Sequence, residues 1–324
     1  MRKTGTVPIF LLALAVSFAA CAQSAKVYRI GILETPAASA NRKNLDALLR
    51  GLREAGYAEG RNLVLDYRSS DGSVRGYQEV ALDLVRAKPD IIVTRGTSAT
   101  AAAKKAGSIP VVMTAAADPV GSGLVANLAH PGGNVTGLTS LVTEVHAKRM
   151  EFMKELFPAV KRVGFVANVD NANAPAQWQQ VERAARALGL EARLVGVRDG
   201  ETLRQGLEAV RRQGIGALLV NTESVMLANR QAIVDFGTAQ RMPVMYSSRE
   251  FVDAGGLVSY GVDYPALYYR AATYIDKILK GAKPGDLPIE QPTKFELVIN
   301  LKAAKALGVT VSRELLARTD EVIQ

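Results

Sequence analysis

The stretch RIGIL at residues 29–33 recurs 133 residues later as RVGFV at residues 162–166. Both stretches place β-branched and other apolar residues around a glycine, as buried strands do. Two further landmarks recur at the same distance, namely Gly56 with Gly189, and PVV at residues 110–112 with PVM at residues 243–245. A repeat of this kind predicts two similar structural units in tandem.

Short runs rich in Val, Ile and Leu alternate with longer segments of helical period throughout the chain. After the first run, Leu45, Leu48, Leu49 and Leu52 share one helix face, and Gly56 follows as a stop signal. This alternation is typical of βα units, so we expect an α/β fold with two doubly wound, mostly parallel sheets. Strands are predicted at residues 27–33, 63–67, 91–94, 111–115, 162–167, 192–197, 217–220 and 244–247.

The amino terminus has the composition of a secretory signal peptide. Arg2 and Lys3 precede an apolar stretch from residue 7 to residue 20 that ends in small residues, which predicts residues 1–25 as a signal peptide cleaved near Ala22. The alternative is a lipoprotein acylated at Cys21, although the bulky Phe18 fits that motif less well. The apolar stretch is short for a membrane span. Both alternatives predict an exported, periplasmic protein.

Composition excludes several classes of protein. Cys21 is the only cysteine, so no disulfide can form within the chain. The formal net charge of +9 is dispersed, without the aromatic-interleaved basic stripe of a nucleic-acid-binding protein, so no nucleic-acid partner is expected. No heptad repeat or long exposed apolar run suggests a subunit interface, which predicts a monomer.

No pattern in the sequence points to catalysis. The chain has two histidines, His130 in a PGG turn and His146 at a helix start, which do not suggest a metal cluster or a triad. The nucleophile-elbow, phosphate-loop and dinucleotide-binding patterns are absent from the sequence. We therefore expect no enzyme activity, no metal and no cofactor.

Ligands of open parallel sheets bind beyond the carboxyl ends of the strands, which selects the loops to consider. A cleft between two such units would bring these loops together around a small molecule. The candidate ligand-binding residues are Thr35, Gly96, Thr97, Ser98, Asp118, Asn168, Asn221, Thr222, Ser247, Arg249, Glu250, Tyr260 and Asp263.

Gly96-Thr97-Ser98 is the most suggestive of these segments. A glycine followed by hydroxyl residues at a helix start exposes backbone N–H groups that favour a carboxylate; simple helix capping is the alternative. Asp118 begins a turn but could hold an ammonium group at the rim of the cleft. Together these residues predict an amino-acid-like ligand.

The remaining candidates have a structural and a ligand-binding interpretation side by side. Asn168 follows a strand and corresponds to Thr35 in the repeat, yet asparagines there are usually turn residues. Arg249 and Glu250 could contact the ligand or form a solvated pair. Tyr260 could supply a flat wall or belong to the core. Asp263 is a further candidate carboxylate for the ammonium group.

Several segments closely resemble the ABC transporter substrate-binding family related to tryptophan- and tyrosine-binding proteins. The carboxyl-terminal third carries FVDAGGLVSYG, IDKILKGAKP and LPIEQPTKFELVIN, and upstream segments are GLREAGY, DPVGSGLV and PGGNVTGL. The resemblance runs from about Val27 to Val322. It implies a type I periplasmic-binding fold, in which the chain crosses a hinge between two lobes three times.

The resemblance also implies how the chain is divided and what it does. Lobe one is expected at residues 26–139 plus 262–289, and lobe two at residues 140–261 plus 290–324. Such a protein captures a small-molecule ligand and delivers it unchanged to an ABC permease in the inner membrane. The alternative is a periplasmic receptor of the same fold that signals to a membrane sensor protein.

Overall fold

A computed structural model describes residues 26–70, 74–140 and 145–324 of the chain. The predicted signal peptide and Cys21 lie outside the described residues. Within the described part, no helix combines the length and the apolar composition that crossing a membrane requires.

The strands and helices alternate along most of the described chain. The strands are β1 (Tyr28–Glu34), β2 (Leu63–Ser69), β3 (Ile91–Arg95), β4 (Val111–Ala116), β5 (Val135–Thr139), β6 (Arg162–Asn168), β7 (Glu191–Val197), β8 (Ala217–Val220), β9 (Val244–Tyr246), β10 (Val258–Val262), β11 (Phe295–Asn300) and β12 (Glu321–Ile323). The helices are α1 (Arg42–Glu54), α2 (Val74–Arg86), α3 (Thr97–Ala106), α4 (Val145–Leu156), α5 (Ala174–Ala187), α6 (Gly200–Ala209), α7 (Ser224–Ala228), α8 (Arg230–Ala239), α9 (Arg249–Asp253), α10 (Tyr264–Leu279), α11 (Leu301–Leu307) and α12 (Arg313–Leu316). Short 3-10 helices span Ala38–Asn41 and Pro284–Asp286.

The first sheet has the strand order β2-β1-β3-β4-β5 in the described part of the chain, and all its strand pairs are parallel. The RIGIL stretch forms the body of β1, where Ile30, Ile32 and Leu33 are fully buried. The four strands predicted in this half are confirmed, while β5 was not predicted. We call this sheet with its helices the five-stranded lobe.

The second sheet has the order β12-β11-β10-β9-β8-β6-β7 over the described residues. Its pairs are parallel except for β10 and β11, which run antiparallel. The RVGFV stretch lies in β6, and the four strands predicted in this half are confirmed. We call this sheet with its helices the seven-stranded lobe.

Each lobe buries apolar side chains on both faces of its sheet, which confirms the doubly wound α/β architecture. In the five-stranded lobe, one core lies under α1 and α10, and the other lies under α2 and α3. The seven-stranded lobe has a corresponding pair of cores. Helix α10 packs against α1, β4 and β5, although it follows β10 in sequence. The chain therefore returns to the first lobe after most of the second has been built.

The repeat that the sequence indicated has a structural basis. Gly56 and Gly189 each follow a helix and adopt the positive φ angles of 94° and 67° that glycine accommodates without strain. Each is followed by a strand of its lobe, β2 or β7, which pairs in parallel with β1 or β6 respectively. The two lobes thus begin with the same β-α-β unit.

Candidate ligand-binding site

A cavity lies between the lobes at the carboxyl ends of their strands. Its volume is about 1080 Å³, including the part that opens to solvent. Eight of the predicted site residues line it, five from the five-stranded lobe and three from the seven-stranded lobe. They are Thr35, Gly96, Thr97, Ser98, Asp118, Asn221, Thr222 and Ser247.

The amino terminus of α3 forms part of the cavity wall. Gly96 is the N-cap residue, with φ of 87°, and it has no side chain with which to cap the helix. The hydroxyl of Thr97 accepts a hydrogen bond from the N–H of Ala117 at 3.3 Å and one from Nδ2 of Asn173, in the opposite lobe, at 3.0 Å. A helix start whose first N–H groups lack a side-chain acceptor suits an anionic group of a ligand.

Asp118 presents a carboxylate to the same cavity from the loop after β4. Its Oδ1 accepts a hydrogen bond from the N–H of Gly121 at 2.8 Å, which holds the turn. The side chain is half-buried, so the carboxylate remains open to a partner from the cavity.

The seven-stranded lobe contributes hydroxyl and amide groups that bond to one another. The hydroxyls of Thr222 and Ser247 are 2.8 Å apart. Nδ2 of Asn221 donates to Glu223 and to Gln177, both at 2.9 Å. This wall is therefore a connected polar network.

Thr35 belongs to a chain of hydroxyls that joins the lobes. It shares a hydrogen bond with Tyr77, whose hydroxyl lies 2.9 Å from that of Ser224 in the other lobe. Tyr77 itself is almost fully buried, with 1% of its surface exposed. The cavity wall at Thr35 is thus fixed from both sides.

Asn168, Tyr260 and Asp263 do not line this cavity, and each has a structural partner instead. The side chain of Asn168 accepts from the N–H of Asp170 at 3.0 Å, which makes it a turn residue. Tyr260 packs edge-on against Phe152, with ring centroids 5.1 Å apart. Asp263 caps α10 by accepting from the N–H of Ala266 at 3.0 Å.

Arg249 and Glu250 also lie outside this cavity, and they face different partners. Arg249 is ion-paired within its own lobe, at 2.9 Å from Glu321, 3.4 Å from Glu296 and 3.6 Å from Asp253. Glu250 pairs with Arg95 of the five-stranded lobe. Both line a second hollow at the lobe boundary, together with residues 39–44.

Two buried residues of α4, Arg149 and His146, line the cavity without having been predicted. Arg149 donates from Nε to the carbonyl of Tyr260 at 2.7 Å, and burial lowers its pKa to about 10. Burial and the neighbouring Arg149 lower the pKa of His146 to about 3, so its ring is neutral. The signal for both was their spacing, because His146 and Arg149 share a helix face with the buried apolar residues Met150, Met153 and Leu156.

Glu223 is another lining residue that sequence reasoning did not select. Its carboxylate accepts from the backbone N–H of Asn168 at 2.7 Å and from Asn221 at 2.9 Å. Burial nevertheless raises its pKa to about 7. The side chain can therefore exist with or without its proton near neutral pH.

Several contacts join the lobes around the cavity. Besides the Tyr77–Ser224 and Thr97–Asn173 bonds, Lys43 lies 2.8 Å from Asp253, and Arg95 bonds both carboxylate oxygens of Glu250. Each contact pairs a residue of one lobe with a residue of the other. The structure therefore has the lobes closed upon each other.

Similar proteins are known from both sequence and structure. The tyrosine-binding protein of Clostridioides difficile (strain R20291) is 28% identical over 287 residues, which cover 88% of this chain and 82% of that protein. A solved ABC domain from Streptococcus pneumoniae in complex with L-Trp is 27% identical, covers 92% of this chain and 100% of that chain, and has a TM-score of 0.84.

A third relative differs in its conformation. The ligand-free, open structure of a substrate-binding protein with adhesive properties from Clostridium difficile is 25% identical, with the same coverage of 92% and 100% and a TM-score of 0.64. The present structure thus resembles the ligand-bound relative more than the open one, in keeping with its closed lobes.

More distant structures bear on the fold alone. The branched-chain amino acid transporter substrate-binding protein LivJ from Streptococcus pneumoniae is 14% identical, covering 81% of this chain and 86% of that chain, with a TM-score of 0.56. This likeness confirms the type I periplasmic-binding fold that the sequence resemblance implied. The family model described as ABC transporter substrate binding protein matches residues 26–323, and the chain belongs to that family.

Proposed function

We propose that the protein is the periplasmic solute-binding component of an ABC importer and that it captures a small, amino-acid-like ligand between its lobes. The observation that carries this proposal is that an uncapped helix start, at Gly96 to Ser98, and a carboxylate, Asp118, line one interlobe cavity. Family membership supports it, as do relatives named for tyrosine binding or solved with L-Trp.

The two ends of an amino acid would be recognised by two different features. The α-carboxylate would accept hydrogen bonds from the first N–H groups of α3 and from the hydroxyls of Thr97 and Ser98, where the helix dipole also favours negative charge. The ammonium group would pair with Asp118. Thr35, Asn221, Thr222 and Ser247 would supply further polar contacts from both lobes.

Capture would proceed by hinge closure. The lobes, proposed as residues 26–139 plus 262–289 and residues 140–261 plus 290–324, would rotate about the crossings near Thr139, Gly261 and Ile289. A ligand held by both lobes stabilises only the closed form, and therefore shifts the population toward it. The cross-lobe bonds of Arg95 and Tyr77 would form in the same step.

The protein would act outside the cytoplasm and leave its ligand chemically unchanged. Export would follow from the signal peptide at residues 1–25, with cleavage near Ala22 or lipidation at Cys21. The closed, loaded form would dock as a monomer on an inner-membrane permease. In the sensing alternative, deletion of the gene would alter a transcriptional response but leave uptake of the ligand intact.

Native mass spectrometry of protein purified without refolding tests the proposal directly. We expect a bound small molecule that is released on unfolding and identified as an α-amino acid, and titration calorimetry with that compound should give one site per chain. A protein that carries no amino acid and binds none of the twenty standard ones would contradict the proposal.

A further inference from the structure

The cavity contains a second place for negative charge, in the lobe opposite α3. Arg149 and His146 lie one helical turn apart on α4, and both line the cavity from the seven-stranded lobe. We call this pair the α4 subsite. An amino acid whose α-carboxylate occupies the start of α3 would leave this subsite unfilled.

Arg149 differs from Arg95, the other buried arginine of the cavity wall, in its counterion. Both arginines are buried, each with 7% of its surface exposed. Arg95 has Glu250 as its counterion. Arg149 instead donates, within the part of the chain that the structure describes, to the carbonyl oxygens of Tyr260, at 2.7 Å, and Ser247, at 3.4 Å. Among the residues that the structure describes, no carboxylate lies within ion-pair distance of Arg149. A buried charge without a counterion is costly, which favours an anion supplied from the cavity.

The carboxylates that line the cavity do not fill this role. Asp118 and Glu223 line the same cavity, but neither carboxylate forms an ion pair or a hydrogen bond with Arg149. The positive charge of Arg149 is therefore left for the ligand.

His146 gives independent support. Its Nδ1 is buried and has no hydrogen-bond partner within the described chain, although the ring packs edge-on against Phe165 with centroids 5.5 Å apart. The residue is 6% exposed and lines the cavity. Buried polar atoms are rarely left without a partner. Because Nδ1 is closed off in this conformation, a ligand group would bond it once the ring turns toward the cavity.

The cavity also offers little to an aromatic side chain. Tyr264 and Phe295 are the Tyr, Phe or Trp residues among its described lining residues, and the guanidinium of Arg95 lies over the ring of Tyr264 at 3.8 Å from its centroid. Phe295 in turn lies beside Tyr260, with centroids 6.0 Å apart. Polar side chains make up most of the rest of the wall, including Gln177 and Gln180.

We infer that the ligand is an acidic amino acid, whose second carboxylate is bound by Arg149 and accepts a hydrogen bond from a ring N–H of His146. This inference rests on the proposed function, which assigns the α-carboxylate to α3 and the ammonium group to Asp118. It accounts for the charges of the cavity, because Arg95 is already neutralised by Glu250 and Arg149 is not.

Titration calorimetry on the unaltered, unliganded protein tests the inference without a substitution. The probes are L-glutamate, L-aspartate and L-2-aminoadipate, the neutral amides L-glutamine and L-asparagine, the aromatic L-tyrosine and L-tryptophan, and glutarate, which lacks the amine. We expect one acidic amino acid to bind at least about 10-fold more tightly than its amide and than either aromatic amino acid.

The outcomes separate the inference from the proposed function. If neutral or aromatic amino acids bind as tightly as the acidic ones, the inference is overturned while the proposed function stands. If glutarate binds but no α-amino acid does, the amino-acid proposal fails, and the inference fails with it. Binding of none of the probes would overturn the inference, and titration with the remaining standard amino acids would then decide the proposed function.

Variants then assign the selectivity to Arg149. Arg149→Lys keeps the charge but loses the planar fork, and Arg149→Met removes the charge. We expect Arg149→Met to bring the affinities for the acidic amino acid and its amide to within about threefold of each other. The exposed Arg183→Met on α5 is a matched control that should leave the ratio unchanged. If a folded Arg149→Met variant keeps the ratio of the two affinities, Arg149 has a structural role alone, as a donor to the carbonyls of Tyr260 and Ser247, and the inference is contradicted.

Discussion

Arg95 and Glu250 form a two-pronged ion pair across the boundary between the lobes, with Nη1–Oε1 and Nη2–Oε2 distances of 2.6 and 2.8 Å. Burial opposes the ionisation of Glu250, but Arg95 outweighs it, so the pKa of Glu250 lies below its usual value. Asn44 and Ser248 also donate to this carboxylate, at 3.3 and 2.8 Å. The pair therefore favours the closed arrangement before any ligand contributes.

Glu250→Gln should shift the unliganded protein toward the open form. The substitution keeps the shape of the side chain but leaves Arg95 buried without a counterion, and opening the lobes would return that charge to water. We expect a larger radius of gyration by small-angle scattering and about a 10-fold weaker affinity for the natural ligand.

Asp83→Asn is the control for this change. Asp83 pairs with Arg86 at 2.7 Å on the exposed face of α2, where an ion pair contributes about 0.5 kcal/mol or less. The radius of gyration and the affinity for the natural ligand should both stay as in the unaltered protein. If Glu250→Gln behaves like this control, the cross-lobe pair does not influence closure.

Glu34 is predicted to make folding depend on pH. It is fully buried, it accepts a hydrogen bond from the hydroxyl of Tyr268, and burial raises its pKa to about 7 even though Arg95 acts in the opposite direction. A raised pKa in the folded state means that the protonated form is favoured by folding. The stability that this proton contributes is present below about pH 4.5 and is lost as the pH rises through 7.

Glu34→Gln should therefore stabilise the protein at pH 8, by about 3 kcal/mol in the free energy of unfolding, and have little effect at pH 4. Glutamine keeps an oxygen that can accept from Tyr268 and does not ionise. Urea denaturation of both proteins at the two pH values measures the difference, and other titrating groups cancel because they are common to both. An equal difference at pH 4 and pH 8 would show that the pKa of Glu34 is the same in the folded and unfolded protein, which contradicts the prediction.

Gly137→Ala should be strongly destabilising. Gly137, in β5, has φ of 123°, and a Cβ atom placed on it would lie 2.2 Å from the carbonyl oxygen of Met113 in β4. Either the strand pair separates or the backbone shifts, and we expect a loss of more than about 3 kcal/mol in the free energy of unfolding.

Gly189→Ala separates the cost of the backbone conformation from the cost of the steric contact. Gly189 also has a positive φ, of 67°, but no atom lies within 4 Å of a Cβ atom built there. The cost should be that of the left-handed backbone alone, about 1 kcal/mol. Equal losses in the two variants would mean that the contact with β4 contributes nothing.

Local sequence pattern predicted most of the strands because a strand buried on both faces requires apolar residues at nearly every position. The runs at β1, β3, β6 and β8 show this clearly, since their residues are almost all buried. Strand β5, with the sequence VTGLT, was missed because its threonines and glycine interrupt the apolar run, although all five residues are buried. Its threonines are accommodated by hydrogen bonds, such as that from Thr136 to the carbonyl of Leu287.

The site was harder to predict because the partner of a charged residue can be far away in sequence. Arg249 was a candidate for the ligand, yet carboxylates at residues 296 and 321 neutralise it. Arg149 was overlooked because a charged residue in a helix usually faces solvent. The strand-end rule, in contrast, brought Thr97, Asp118 and Asn221 to one cavity, because it depends on topology and not on pairing.

Asp118→Asn tests recognition of the ammonium group with the least structural change. The Oδ1 atom of asparagine can still accept from the N–H of Gly121, so the turn and the thermal midpoint of the empty protein should be nearly unchanged. Loss of the charge should weaken binding of an amine-bearing ligand by about 100-fold, since charge-assisted hydrogen bonds are roughly twice as strong as neutral ones. Asp170→Asn is the control, because Asp170 pairs with Arg198 at 3.3 Å and does not line the cavity. Calorimetry with the natural ligand measures both variants, and retained affinity in Asp118→Asn would assign the ammonium group to another carboxylate, with Glu223 as the remaining one in the cavity wall.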